Sequence, residues 1–192
     1  MWRTVIFLIF TLIIVPILTF NFDVPLTELQ QSTLKTLLCV YGIAAGLCFI
    51  VSSATKNYSQ VDKLWSIIPI PYVWIIAYNT DFEPRITLMA FLVSIWAVRL
   101  TYNFARRGGY SWKIWTGEED YRWAILRDKP EFQSQWKWSA FNLFFISAYQ
   151  MALILFFTLP ALKAMESNIP IGILDYNLAT IFVALVIMEF IA

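Results

Sequence analysis

The chain has 192 residues, of which 59% are hydrophobic and only 14% are charged, and its formal net charge at pH 7 is +1. Soluble domains carry about a quarter charged residues and less than half apolar ones, so this composition predicts an integral membrane protein. The near-neutral charge predicts no nucleic-acid partner. The sequence has no histidine, which excludes histidine-based acid–base catalysis and Ser-His-Asp triads, and we also expect no metal site.

Long apolar runs predict an all-α, polytopic transmembrane helical bundle that forms a single domain over residues 1–192. A transmembrane helix needs about 20 apolar residues to cross the hydrocarbon core. By this measure the chain has five full spans and an incomplete sixth, with predicted helices at residues 4–22, 33–53, 61–78, 86–105, 139–159 and 178–192. The first run could also be a signal peptide, but no small-residue cleavage site follows it, so we expect a retained helix.

The last predicted helix, residues 178–192, is short. At 1.5 Å per residue its fifteen residues extend ~22 Å, which is less than the ~30 Å hydrocarbon core. We therefore expect that the C-terminal part of the protein is missing from this chain. We also expect the fragment alone not to turn over substrate.

The basic residues near the helix ends predict the orientation in the membrane. With the N-terminus in the cytoplasm, ten lysine and arginine residues lie inside and three outside, and seven of the ten belong to the loop 106–138. This loop is therefore predicted to be cytoplasmic. The membrane would be the endoplasmic reticulum in a eukaryote and the inner membrane in a bacterium.

The cytoplasmic loop contains a predicted interfacial helix. Residues Thr116 to Glu119 form a capping-box pattern, and Pro130 follows the acidic and basic run after it, which together predict a helix over residues 117–128. Tryptophans on both sides are typical of a helix that lies along the membrane surface. Its carboxylates, those of Glu118, Glu119 and Asp120, could also cover a pocket together with Tyr121 and Arg122. The sequence leaves both interpretations open.

Arg99 is a charge inside an apolar run, where an arginine costs about 2.5–3.5 kcal/mol at a helix centre. Trp96, Arg99, Asn103 and Arg106 recur at intervals of three and four, so they share one helix face. Arg99 could extend to the interface and have no chemical role. Alternatively, it faces inward and holds a carboxylate or a phosphate.

Asp62 is the nearest candidate partner of Arg99 by depth. It lies in the first turn of the third predicted helix, with Trp65 and Ser66 on the same face. A simpler interpretation is that its charge complements the positive end of the helix dipole. Glu189 is a further acid inside an apolar run, and such residues are functional candidates. Alternatively, Glu189 marks the point where the last helix approaches the cytoplasm, and the sequence leaves both interpretations open.

Several short motifs resemble, in the same order, a group of mostly uncharacterised multi-helix membrane proteins. This group is related to the steroid 5-alpha-reductases and, more distantly, to the isoprenylcysteine carboxyl methyltransferases. The resemblance covers roughly residues 50 to 192. It rests on Gln60-Val61-Asp62-Lys63-Leu64-Trp65-Ser66, Trp96-Ala97-Val98-Arg99-Leu100, Arg106-Arg107-Gly108, Glu119-Asp120-Tyr121-Arg122 and Met188-Glu189-Phe190-Ile191-Ala192.

The resemblance implies a membrane reductase that uses NADPH to reduce a conjugated double bond in a hydrophobic, lipid- or sterol-like substrate. It also implies that NADPH is held largely by the C-terminal half, which we expect to be missing from this chain. The steroid enzymes have a tyrosine where this chain has Trp96, and an acid near Ile67, so reduction of a steroid itself is not implied. Tyr102 could supply a phenol, although it does not match the family position. The alternatives are an S-adenosylmethionine-dependent methyltransferase and a non-enzymatic membrane protein.

With this resemblance, the candidate site residues fall into three groups. The catalytic candidates are Asp62, Arg99 and Tyr102. The candidates for cofactor binding are Arg106, Arg107, Tyr121 and Arg122. The substrate pocket is predicted to include Trp65, Ser66, Trp96 and Asn103.

Overall fold

The computed structural model describes residues 6–7, 10–22, 24–113, 116–167 and 169–191. Within these ranges all regular secondary structure is helical, which confirms the all-α class. The elements are a π-helical turn Phe10–Ile14, α1 Val15–Phe22, α2 Glu28–Thr55, α3 Gln60–Trp65, α4 Pro69–Asn79, α5 Pro84–Arg106, α6 Tyr121–Arg127, a 3-10 turn Pro130–Phe132, α7 Gln135–Phe141, a π-helix Asn142–Tyr149, α8 Gln150–Lys163 and α9 Ile173–Ile191.

Four helical segments of the described chain are long and apolar enough to cross a membrane. They are α2, α5, the continuous segment from α7 to α8, and α9. By these helices the chain is an integral membrane protein, as its composition predicts. The count of five full spans stays a prediction, because residues 4–5 and 8–9 of the first predicted helix lie outside the described residues.

The third predicted helix, residues 61–78, is wrong as one continuous element. It is divided into α3, which ends at Trp65, and α4, which begins at Pro69. Proline has no N–H to donate, and its ring clashes with the carbonyl four residues earlier, here that of Trp65, so the helix cannot continue through Pro69. Proline is however well suited to the first helical position, where it begins α4.

The last helix begins at Ile173 rather than at residue 178. Its first turn contains Asp175, whose carboxylate accepts a hydrogen bond from the backbone N–H of Gly172 at 2.8 Å and pairs with Arg85 of α5 at 2.9 Å. The charge is thus compensated at the helix start. Nineteen residues extend ~28 Å, which is close to the ~30 Å thickness of the hydrocarbon core.

The core lies between α2, α4 and the segment from α7 to α8. Its fully buried side chains include Leu37, Tyr72, Ile76 and Met151. Polar side chains join the same elements, because the amide of Asn142 donates hydrogen bonds to the hydroxyl groups of Ser52 and Ser53. The helix α9 lies outside this core, packs against α5, and leaves most of its side chains exposed.

Helix α5 positions both cavities described below. The side chain of Glu83 accepts a hydrogen bond from the N–H of Ile86 at 2.9 Å and caps the helix start, and Pro84 occupies the first turn. The helix ends at Arg106, and Gly108 then turns the chain with a φ of +83°. A positive φ of this kind favours glycine, so the turn is encoded locally.

Candidate functional site

A polar cleft of about 440 Å³ lies where α3, the C-terminal end of α5 and residues 118–122 meet. Its lining combines an apolar wall, given by Trp65, Leu100 and Phe104, with charged groups. The charged lining residues are Asp62, Arg107, Glu118, Glu119, Asp120 and Arg122, and the remaining ones are Ser59, Ser66, Gly109 and Tyr121.

The roof of the cleft is the segment 116–120, which hydrogen bonds hold onto residues 57–63. The buried ammonium group of Lys63 donates to the carbonyl of Thr116 at 2.6 Å. Further bonds run from Asn57 Nδ2 to the carbonyl of Gly117 at 3.0 Å, from the N–H of Tyr58 to Glu119 Oε1 at 2.8 Å, and from the N–H of Asp120 to Ser59 Oγ at 2.8 Å. The position of the roof therefore depends on backbone groups paired across about 60 residues of sequence.

The predicted helix over residues 117–128 is wrong at its start. Helix α6 begins at Tyr121, and its cap is Asp120, whose carboxylate accepts from the N–H of Arg122 at 2.9 Å. Gly117 has a φ of +133°, which no helix tolerates. Of the helix side chains, Trp123 is buried while Tyr121 is exposed, so α6 both covers the cleft and faces outward.

Two carboxylates share the guanidinium group of Arg122. Asp120 pairs with it at 2.7 Å, whereas Asp62 is 3.9 Å away and also accepts from Trp123 Nε1 at 3.5 Å. Asp62 lies outside the four candidate spans, and burial raises the pKa of its carboxyl. The hydrogen bonds from Arg122 lower the pKa of Asp120. The cleft thus holds two acids whose proton affinities are moved apart.

The predicted pair of Asp62 and Arg99 does not form. Arg99 Nη1 instead lies 2.7 Å from Glu189 Oε2 of α9, and Arg99 Nη2 donates to the backbone carbonyl of Glu189 at 2.8 Å. The period of the α-helix explains why Arg99 does not reach Asp62. The cleft lies against Leu100 and Phe104 of α5, and Arg99 belongs to another side of the same helix.

That other side of α5 forms an apolar groove of about 470 Å³ with α9. Its lining residues are Phe91, Ser94, Ile95, Val98, Arg99, Tyr102 and Phe190. Tyr102 is two residues from both Leu100 and Phe104, so it points about 160° away from the cleft around the helix. The predicted single site therefore corresponds to two cavities.

The predicted site residues divide accordingly. The cleft lining includes Asp62, Trp65, Ser66, Arg107, Tyr121 and Arg122, and the groove lining includes Arg99 and Tyr102. Neither lining includes Trp96, Asn103 or Arg106. The sequence reasoning missed Ser59, Leu100, Phe104 and Gly109 as cleft residues, whereas it placed the carboxylates of Glu118, Glu119 and Asp120 among the groups that could cover a pocket. The spacing of Leu100, Phe104 and Arg107 by four and three could have indicated a common face.

The charges of the cleft limit what it can bind. Four carboxylates, of Asp62, Glu118, Glu119 and Asp120, line it together with two guanidinium groups. Glu119 is also paired with Arg127 at 3.0 Å, and Asp120 with Arg122. Within the described part of the chain, no group of three or more His, Cys, Asp or Glu side chains is arranged to hold a metal ion. The cleft suits a molecule with a polar end and an apolar body.

Comparisons with known proteins give a family but no activity. The model of a family described as a protein of unknown function, DUF1295, matches residues 48–192. An uncharacterised protein of Schizosaccharomyces pombe is 34% identical over 149 residues, which make up 74% of this chain and 41% of that protein. The chain thus spans about two fifths of the length of this curated relative. No solved structure matches the chain at a significant level.

Proposed function

The chain belongs to the DUF1295 family of unknown function, and on that premise we propose that it is the membrane part of an oxidoreductase. The substrate is a lipid- or sterol-like molecule with a conjugated double bond, and its reacting end occupies the polar cleft. Asp62 gives the main support, because its side chain is only 20% exposed and lies opposite an apolar wall. The resemblance of the sequence to an uncharacterised group related to the steroid 5-alpha-reductases supports the same class of reaction.

Asp62 fits the role of the acid. In a double bond conjugated to a ketone, the hydride adds to the β carbon and a proton donated to the carbonyl oxygen gives the enol. The enol then takes a proton from water at the α carbon as its oxygen releases one, which leaves the saturated ketone. Since burial raises the pKa of Asp62, this carboxyl keeps its proton to a higher pH than an exposed aspartate and can donate it to that oxygen. The apolar wall of Trp65, Leu100 and Phe104 would hold the hydrophobic body of the substrate.

NADPH is the proposed source of the hydride. The side chains that would hold its phosphates are Arg107 and Arg122, and the guanidinium of Arg107 has no ion-pair partner among the described residues. Arg122 is already paired with Asp120 at 2.7 Å. Two guanidinium groups beside four carboxylates suit one end of this cofactor rather than all of its phosphates.

The same acidic surplus favours a second candidate, a methyltransferase. S-adenosylmethionine carries a sulfonium cation, and carboxylates such as Glu118 and Asp120 would stabilise that charge. The methyl group would pass from the sulfonium sulfur to an oxygen of the acceptor, and the sulfur would leave as a neutral thioether. This is the reaction class of the isoprenylcysteine carboxyl methyltransferases that the sequence distantly resembles.

Thermal unfolding of the 192-residue chain in lipid nanodiscs distinguishes the two. We expect NADPH to raise the unfolding midpoint, because a ligand at about 100 times its Kd stabilises by about 2.7 kcal/mol. Arg107→Ala should reduce this shift, whereas Lys113→Ala, an exposed cation of the same loop, should leave it unchanged. A shift with S-adenosylmethionine and none with NADPH would overturn the reductase proposal.

We propose further that the cleft opens to the cytoplasm, as the bias of basic residues predicts. Asn57 tests this orientation, since Asn57-Tyr58-Ser59 is a glycosylation sequon. A cytoplasmic cleft leaves Asn57 without glycan, and its amide then remains bonded to the carbonyl of Gly117. Mass spectrometry of the chain expressed in a eukaryotic cell gives the answer, and a glycan at Asn57 would reverse the orientation.

A further inference from the structure

The groove between α5 and α9 follows a single stripe of helix positions. Phe91, Ile95, Val98 and Tyr102 recur at intervals of four and three, so they form one continuous face of α5. The eleven steps from Phe91 to Tyr102 extend ~16 Å along the axis. Both helices are candidate spans, so the groove faces the hydrocarbon of the bilayer.

The polarity of the groove changes along its length. The end at Phe91 is apolar, whereas the end nearer the cytoplasmic loop contains Arg99 and Tyr102. The Tyr102 ring packs against Phe190 at a centroid distance of 5.7 Å, and its hydroxyl group has no hydrogen-bond partner among the described residues. Arg99 Nε is covered, so the donor that this end offers to an oxygen atom is the hydroxyl group of Tyr102.

The charge at this end is balanced within the protein. The guanidinium of Arg99 is 2.7 Å from the carboxylate of Glu189, so the pair carries no net charge. An anionic head group would add an uncompensated negative charge beside Glu189, in a medium of low dielectric constant. An uncharged head with an acceptor oxygen meets no such repulsion.

We propose that this groove is a second binding site, which holds one single-chain lipid with an uncharged, oxygen-bearing head. A long-chain alcohol, ketone or ester has this chemistry. Its chain lies along Phe91, Ile95 and Val98, and its oxygen accepts from the hydroxyl group of Tyr102. The site goes beyond the function proposed for the cleft and does not depend on it, because it lies on the opposite face of α5 and shares no lining residue with the cleft.

Photocrosslinking tests the site directly. The 192-residue chain in phosphatidylcholine nanodiscs is exposed to a long-chain alcohol with a diazirine in its chain, or to the fatty acid of equal length with the same diazirine. Mass spectrometry then maps the labelled peptides. We expect the alcohol to label α5 and α9 at the groove about tenfold more than the fatty acid does, which corresponds to about 1.4 kcal/mol.

Two tryptophan variants provide the matched control. Val98→Trp fills the groove and should reduce labelling by the alcohol about tenfold. Ile50→Trp of α2 adds the same bulk at a side chain that is 61% exposed, against 62% for Val98, and lines neither cavity, so it should leave labelling unchanged. Tyr102→Phe keeps the groove and removes only the hydroxyl, and we expect a loss of labelling of about fivefold, the effect of one hydrogen bond. This last variant decides the matter if Val98→Trp fails to fold.

Three results would overturn the proposal. Equal labelling by the alcohol and the fatty acid would exclude selection for an uncharged head. Labelling of α2 near Ile50 as strong as that of the groove would show bulk lipid and no site. Crosslinks that join two chains through α5 or α9 would show that a second copy of this chain occupies the groove.

Discussion

The cleft and the groove lie on opposite faces of α5 and are built in different ways. The cleft depends on a loop whose backbone is hydrogen-bonded to residues 57–63, and its lining is mostly charged or polar. The groove depends on the packing of two apolar helices and on the ion pair between Arg99 and Glu189. One helix can therefore border two sites of opposite character, because its two faces are determined by separate sets of residues. A change in either cavity should leave the other intact.

The largest effect is expected at Gly117, in the roof of the cleft. A Cβ atom there would lie 2.7 Å from the backbone oxygen of Gly109, and the φ of +133° is one that other residues avoid. Gly117→Ala should therefore lower the free energy of unfolding by about 3 kcal/mol and abolish ligand binding in the cleft. Chemical unfolding in detergent micelles gives the first value, and crosslinking of the groove should be unaffected.

Gly46 of α2 is the matched control. A Cβ atom at Gly46 meets nothing within 4 Å, and the position is helical. Gly46→Ala should raise the free energy of unfolding by about 0.5–1 kcal/mol, since alanine is the better helix former. If both alanine variants shift stability by the same amount and in the same direction, the roof does not require its unusual backbone.

The second effect belongs to the groove. Glu189→Leu leaves Arg99 charged and without its carboxylate partner in an apolar setting. The long side chain of Arg99 can still extend towards the C-terminal end of α5 and the membrane interface. We therefore expect Glu189→Leu to lower the free energy of unfolding by about 1–2 kcal/mol. Binding in the cleft should be unchanged, as measured by the thermal shift with NADPH or S-adenosylmethionine.

A double-mutant cycle separates the lost ion pair from the lost side-chain contacts. Arg99→Leu with Glu189→Leu removes both charges, and the double variant should be more stable than Glu189→Leu alone. Additive losses in the two single variants would show that the two charges do not interact. The ion pair would then not stabilise the contact between α5 and α9.

The sequence predicts the helices of this protein better than their contacts. Apolar runs identify α2, α5 and the segment from α7 to α8, because burial in a bilayer needs a minimum length of apolar residues. The sequence also identifies the part of the cleft lining that belongs to α3, since the spacing of Asp62 and Trp65 alone places them on one helix face. Pro69 indicates a helix break by its residue type, but the long apolar run favoured one continuous helix.

The partners of the charged residues were not predictable by the same means. Arg99 pairs with Glu189, which lies 90 residues further along the chain, and depth in the membrane alone favoured Asp62. The start of α6 was displaced because the capping-box pattern at Thr116 competes with the backbone of Gly117, whose φ is set by tertiary hydrogen bonds. Both errors come from interactions that join distant parts of the sequence.

The smallest effect concerns pH and the two acids of the cleft. Hydrogen bonds from Arg122 lower the pKa of Asp120 in the folded protein, whereas the unfolded value is about 3.9. Its contribution to stability is therefore complete above the unfolded value and is lost as the pH falls through the folded one. Asp120→Asn keeps an oxygen for the helix cap and removes the ion pair with Arg122, so it should cost about 0.5 kcal/mol at pH 7. This cost should shrink below about pH 4.

The pH dependence of stability that comes from Asp62 should have the opposite sign to that from Asp120. Burial raises its folded pKa above the unfolded value, so ionisation of Asp62 lowers stability as the pH rises between the two values. Asp62→Asn keeps an acceptor for Trp123 and removes this charge, so it should be as stable as the wild type at acidic pH and more stable at neutral pH. Unfolding curves of both variants across this pH range measure the difference. If both variants lose stability together at neutral pH, then the carboxylate of Asp62 is stabilised by Arg122 as strongly as that of Asp120, and Asp62 cannot serve as the proton donor proposed for the cleft.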